Sequence, residues 1–484
     1  MIFHRRIFHG RICRPRSPLA IAALLMFTAV SANAADLIQA YELARQSDPQ
    51  LAAAESSRLA QGEGIALSRS ALLPRISADL SLNDREGDNS TVGTRPNPDG
   101  TVSFGRSLGE SDTRNRGYSL NLNQSLYDRS NYTRLRASRA RAARADADYQ
   151  AANNGLMLRV SENYFRVLTA IDSLVFAGAE RRAVKRQLDQ AEQRFEVGLT
   201  AITDVHEARA RYDSARANAI AAENALDDSR EILAEITGEY LQSFKGLDDT
   251  FTPTMPEPAL ASQWVEWALA QNPGLLSREQ GLIAAGHDID TARAAHLPTL
   301  SANVGFTDNA TWGSNGSNGV IFPADSASDG NNVGIILRVP LFEGFATRAQ
   351  VRQSVFNRDV VGDQYEQERR AVTRQTRNAY RALEAGISEI GARLQALVSA
   401  RSALEATEAG FEVGTRTIVD VLLSQQQLFQ AQRNYSDSRH TFLVNGLRLR
   451  QAAGTIALKD LQEVNRSLVS DAEAALVETQ AEQQ

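Results

Sequence analysis

Leu72-Leu-Pro-Arg-Ile-Ser-Ala-Asp-Leu80 is written a second time as His296-Leu-Pro-Thr-Leu-Ser-Ala-Asn-Val304. In each copy a proline closes a helix-forming stretch and a strand-like alternation begins. Ile76, Ala78, Leu80 and Leu82 share one face, and Ser77, Asp79, Ser81 and Asn83 the other. An apolar face backed by a wholly polar one, with a period of two, describes a strand between lipid and a wet lumen. It describes equally well an antiparallel sheet packed on a soluble core.

Working outward, the whole chain is duplicated. Pro49 pairs with Pro273, Pro74 with Pro298 and Ala78 with Ala302, all at one constant offset. Phe195, Gly198 and Asp204 pair with Phe411, Gly414 and Asp420 at a second, slightly shorter offset, and Asn163, Phe165 and Arg166 pair with Asn378, Tyr380 and Arg381 at almost the same one. Blocks this far apart with so steady an offset mark an internal repeat. Each half is expected to run through a short helical entry, an Asp48-Pro49 or Asn272-Pro273 cap, a helix, two strands, one very long helix, a glycine turn and a returning helix. The boundaries are read as an export signal over 1–34, a first repeat over 35–254, a second over 255–470 and a disordered tail over 471–484.

Three more strands follow the pattern of the first. Tyr118, Leu120, Leu122 and Leu126 alternate with polar residues; so do Leu300, Ala302, Val304 and Phe306, and then Val333, Ile335, Leu337, Val339 and Leu341. Residues 85–116 and 308–332, rich in Gly, Asn, Ser and Asp, read as long polar loops on one side. Asn97-Pro98-Asp99-Gly100 and Gly313-Ser314-Asn315-Gly316 supply turn chemistry. This favours the membrane reading. Four strands cannot close a barrel, and open edges are not tolerated in lipid, so several chains would have to share one.

The helices are the larger mass. Asp128 to Glu196 and Phe342 to Glu412 contain no proline, and the first would reach roughly 100 Å at about 1.5 Å per residue. Helices of that length survive side by side, either as the wall of a duct or as a solid coiled coil without a bore.

The N-terminus reads as an export signal. Arg5, Arg6, Arg11, Arg14 and Arg16 precede an apolar run from Leu19 to Val30, and Ala32 and Ala34 are placed for cleavage. The one cysteine, Cys13, lies inside it, so the exported chain has no disulfide or thiol metal site. Removing those arginines leaves 47 basic against 58 acidic side chains, a balance unlike that of a nucleic-acid binder.

The stretches that join the long helices to their return helices are the most specific. Arg194-Phe-Glu-Val-Gly-Leu-Thr-Ala-Ile-Thr-Asp-Val205 and Gly410-Phe-Glu-Val-Gly-Thr-Arg-Thr-Ile-Val-Asp-Val421 resemble the two helix turns of the TolC family of outer-membrane efflux and secretion channel proteins. The likeness extends to about residue 465. It implies a mixed, mainly α fold: a trimer with a 12-stranded transmembrane β-barrel, four strands per chain, continuing into a long periplasmic α-helical barrel. A small α/β collar would form from residues near 239–262 and 455–470. It implies an outer-membrane location in a Gram-negative bacterium, with passive export through efflux pumps or type I secretion systems. The partners would be outer-membrane lipid, a periplasmic adaptor docking at Gly198, Leu199, Gly414 and Thr415, and an inner-membrane pump or ABC transporter.

In that family the positions matching Thr203, Asp204, Arg416 and Arg439 belong to polar links near the closed mouth. Carried over, Arg416 would hold Asp204 or Thr203. Phe411 stands where the family has a tyrosine, so one hydroxyl link is missing. Asp420 would form a ring of three carboxylates, and Leu423 replaces a second family aspartate. From the residues alone, Gly198 and Gly414 suit the left-handed turn, and Thr203 or Asp204 could simply cap the returning helix.

Two other classes compete. For an enzyme, His206, His287, His296 and His440 show no close metal-ligand spacing, and no P-loop, nucleophile elbow or dinucleotide fingerprint appears; no cofactor is expected. A periplasmic adaptor or coiled-coil scaffold would share the long helices but would not need four two-faced strands.

Overall fold

The computed structural model describes residues 34–248 and 250–472. The stretch read as an export signal and most of that read as a tail lie outside them. The order of elements is α1 (Leu37–Ser47), α2 (Pro49–Ser70), β1 (Arg75–Pro96), β2 (Val102–Tyr127), α3 (Arg129–Glu196) and α4 (Ile202–Thr237). It continues with β3 (Lys245–Leu247), α5 (Ala261–Gln271), α6 (Pro273–Ala294), β4 (Thr299–Ser317), β5 (Val320–Pro323) and β6 (Ser326–Arg338), then α7 (Ala346–Glu412), α8 (Ile418–Ala452), α9 (Leu458–Asn465) and β7 (Leu468–Asp471). The plan of the first half is thus rebuilt in the second. Asp48 and Asn272 cap α2 and α6 by accepting from the amides of Leu51 and Leu275, with the following proline in the first turn, where its missing N–H costs nothing.

The main sheet is antiparallel in the order β1-β2-β4-β6, with β5 beside the far end of β4. The β2–β4 pairing joins the halves. Among the described residues, neither β1 nor β6 has a strand on its outer side. The apolar face is open: Leu80, Leu82 and Val333 are 71%, 72% and 79% exposed.

Strand length is where sequence and structure part. The segments read as loops over 85–116 and 308–332 are mostly strand. β1 and β2 stay in register from Arg75↔Asn123 to Pro96↔Val102. Gly313 to Gly316 lie inside β4, not in a turn; the turn falls at Asn318 and Gly319, both left-handed (φ 52° and 83°), as a two-residue hairpin requires. The reason is physical: a ladder is made by backbone groups, and once both faces meet water no alternation is needed to sustain it. At about 3.3 Å per residue β1 spans roughly 70 Å. Its alternating apolar residues occupy only the first third, matching an apolar band about 25 Å tall.

Below the sheet, α2 and α6 flank the upper part of α3, and α4 and α8 its lower part, while α7 runs beside α6 and then α8. The protomer is therefore a palisade with α2 and α4 on one edge and α7 on the other. Among the described residues no helix is long and apolar enough to cross a membrane. The largest core sits at mid-height, where Leu37, Leu156, Val160, Tyr164, Phe165, Leu168, Leu447 and Leu461 meet. There β3 pairs with β7, and the buried Tyr164 hydroxyl lies 2.9 Å from the carbonyl oxygens of both Ala35 and Lys245, tying the segment before α1 and the strand β3 to α3 as a collar.

Candidate gating site at the helix turns

Both long helices end in the same device. Gly198 and Gly414 are left-handed (φ 75° and 78°). The Gly198 amide donates to Phe195 and the Leu199 amide to Arg194; the Gly414 amide donates to Phe411 and the Thr415 amide to Gly410. Each is a Schellman motif, which satisfies the last carbonyls of the helix. Val197, Leu199 and Val413 are 69–75% exposed around the turns.

The returning helices start differently. α8 has a full capping box: Thr417 Oγ1 accepts from the Asp420 amide at 3.3 Å, and the Asp420 carboxylate accepts from the Thr417 amide at 2.9 Å. The N-cap of α4 is Ala201, whose methyl group offers no acceptor. Asp204, the counterpart of Asp420, instead accepts from the Thr200 hydroxyl. Thr203 is exposed inside the first turn of α4 and is not its cap.

Three contacts hold the two hairpins side by side at one height. The Arg194 guanidinium stands 4.7 Å from the centre of the Phe411 ring. Arg211 donates to Gln426 at 3.0 Å, and Arg433 lies 3.5 Å from Glu180. Val184, Leu188, Val205 and Ala208 pack with Ile418 and Leu422 between them. Phe411, lacking the family's hydroxyl, thus contributes its ring face to an arginine.

One expected placement differs, that of Arg439. Within a single protomer, among the described residues, Arg416 makes no bond to Asp204 or Thr203. It occupies in its own turn the place that Thr200 has in the other, and its charge acts on Asp420. Arg439 is not at the mouth at all. It is buried on α8, where it donates to the Asp248 carbonyl and stands 5.5 Å from the Tyr435 ring. About seven helical turns separate it from Gly414, which at a pitch of about 5.4 Å puts it nearly 40 Å from the mouth.

The Asp420 carboxyl is held below the usual carboxylate range, first by the Thr417 amide, then by the Thr417 hydroxyl, with Arg416 adding a favourable charge. Leu423, one turn on, is 40% exposed. Thr200, Thr417 and Arg194 were not singled out from the sequence. Thr417-x-x-Asp420 is a capping-box pattern and was readable there; the Arg194 contact joins positions too far apart in the chain to be read.

The family profile described as Outer membrane efflux protein matches residues 40–239 and 264–455. The chain belongs to this family. Outer membrane protein TolC of Vibrio cholerae is 36% identical over 93% of this chain and 98% of its own length. The alkaline protease secretion protein AprF of Pseudomonas aeruginosa is 29% identical over 93% of this chain and 90% of its own. Among solved structures, the Campylobacter jejuni CmeC outer membrane channel superposes with a TM-score of 0.70 at 18% identity, over 95% of this chain and 98% of that one. As a member of the efflux family the protein is an outer-membrane channel of a Gram-negative bacterium, an exit duct for efflux and secretion.

Proposed function

We propose that three copies close into one 12-stranded barrel continued by a helical tunnel, and that the helix turns form its gate. The observation that carries this is the four-stranded sheet with two free edges and an exposed apolar face: in lipid such edges must be paired, and a second and third copy supply the pairing. Export through the bore is passive, with no catalytic step, and an inner-membrane pump or ABC transporter supplies the energy. An adaptor docks at the turns around Gly198, Leu199, Gly414 and Thr415, whose exposed valine and leucine side chains offer it an apolar foothold. The chain divides into an export signal over 1–34, repeats over 35–254 and 255–470, and a tail over 471–484.

The constriction is the Asp420 ring with Leu423 beside it, braced by Phe411 on Arg194. Asp204 and Thr203 line the neighbouring turn, and Arg416 neutralises part of the carboxylate charge. Rings of like carboxylates select cations and bind divalent ions. Single-channel conductance in planar bilayers tests the reading. Asp420→Asn removes the charge and keeps an acceptor for the Thr417 amide, whereas Asp420→Ala removes both. Loss of cation selectivity and of divalent block in both variants supports the ring. A change in Asp420→Ala alone assigns Asp420 to capping only. No conductance from a folded, membrane-extracted oligomer overturns the channel reading.

A further inference from the structure

The two edges of the protomer carry opposite charge at one height. On α7 the packed side is Val372, Thr376, Leu383 and Ile390, all buried. At about 3.6 residues per turn, Arg374, Arg377 and Arg381 lie on the opposite side. All are exposed, and none meets a carboxylate among the described residues; Arg381 donates only to Asn378 and the Arg377 carbonyl. On α4 the packed side is Leu226, Ser229, Leu233 and Thr237. Asp228, Glu231 and Glu235 lie opposite, exposed; Asp228 accepts from Asn224, while Glu231 and Glu235 meet no cation among the described residues.

Height decides the partner. The contacts between Arg194 and Phe411, Arg211 and Gln426, and Glu180 and Arg433 put the two turns level. Glu231 stands as far beyond Gly198 in the chain as Arg381 stands before Gly414. Glu235 and Arg377 are matched in the same way, one helical turn higher. Rotation about an axis along the tunnel leaves height unchanged, so when one copy's α7 edge meets the next copy's α4 edge, each arginine arrives opposite a glutamate. Glu384, level with Asp228, is a mismatch; lower down Glu389, level with Glu223, is another, and there Arg393 pairs with Glu389.

We infer that Arg377 and Arg381 of one copy pair with Glu235 and Glu231 of the next, setting the register between subunits at the level of the collar. This rests on the trimeric reading above, and the experiment separates the two. Glu231→Cys and Arg381→Cys are placed in one chain and treated in membranes with a short bis-maleimide. Linked dimers and trimers on a denaturing gel, with the 231–381 peptide identified by mass spectrometry, are expected. A monomer by analytical ultracentrifugation overturns the trimeric reading and this inference with it. A trimer that gives no 231–381 link overturns the inference alone. Charge exchange supplies a second measurement: Arg377→Glu with Arg381→Glu should lower the temperature at which the oligomer dissociates, and adding Glu231→Arg with Glu235→Arg should recover most of the loss. No recovery in the fourfold variant, in a chain whose helical circular dichroism is unchanged, overturns the pairing.

Discussion

Replacing Gly414 and Gly454 by alanine, one at a time, separates backbone strain from packing. Both glycines are left-handed, with φ of 78° and 74°, so an alanine at either should lose roughly 1–2 kcal/mol to that conformation. Their surroundings differ. A Cβ at Gly414 meets nothing within 4 Å, whereas one at Gly454 falls 2.5 Å from the Gln271 carbonyl oxygen and 2.7 Å from the Asn272 Cα. Asn272 caps α6 and also donates to the Ala452 carbonyl at 2.9 Å, so backbone there cannot withdraw without loosening the cap. Overpacking of this kind costs roughly another 1–3 kcal/mol. Gly454→Ala should therefore be about twice as destabilising as Gly414→Ala, or more. The assay is urea denaturation of the detergent-extracted protein, followed by helical circular dichroism. Equal losses in the two variants would refute the reasoning, because they would mean that the turn is as crowded as the collar.

Thr417→Ala removes the acceptor for the Asp420 amide and should cost about 1 kcal/mol, and Ala201→Ser should return a similar amount to α4; the same denaturation curves measure both. Arg194→Ala should weaken the contact between the hairpins by roughly 0.5–1 kcal/mol and raise the frequency of channel opening in bilayer recordings, and unchanged opening would remove Phe411 from the gate. Burial holds the His440 imidazole down to about 3, from an ordinary 6.5, with Arg439 adding to the effect; its Nδ1 lies 2.9 Å from the Thr169 hydroxyl and its Nε2 3.9 Å from Asp172. The unfolded chain takes up this proton first, so the contribution is complete above pH 6.5 and is lost as pH falls toward 3, at no more than about 1.4 kcal/mol per pH unit. Thermal midpoints measured across that window should fall less steeply in His440→Gln.

The duplication was legible because it is carried by backbone-determining residues. Pro49 and Pro273 start helices, and Gly198 and Gly414 end them. The end of each long strand nearest the helices was legible because its residues alternate between apolar and polar. Beyond Asn83 both faces meet water, so the sequence carries no alternation, and polar residues that read as loop sit in an ordered ladder. Arg439 was misplaced for a different reason. A family position says what a residue does elsewhere, whereas burial beside Tyr435 and the Asp248 carbonyl depends on a collar built from segments of both repeats, distant from one another in the chain. The capping box at Thr417 needs no structure to find, whereas the cap of α4 falls at Ala201 and not at Thr203 or Asp204, because the turn ends earlier than the polar residues suggest.

On the gate proposed above, the distance from Arg439 to the turn would make α7 and α8 a lever. If the buried arginine is the pivot, about seven turns of rod lie below it, roughly 38 Å at about 5.4 Å per turn. A tilt of about 10° there sweeps the tip through roughly 6–7 Å over the same pitch. Most side-chain contacts near the pivot need shift by no more than about an ångström while the far end moves by more than the width of a helix backbone, about 4.6 Å. On the gate proposed above, the length of the hairpin would set the mechanical gain between collar and mouth, and shortening it by whole turns would reduce the aperture in proportion.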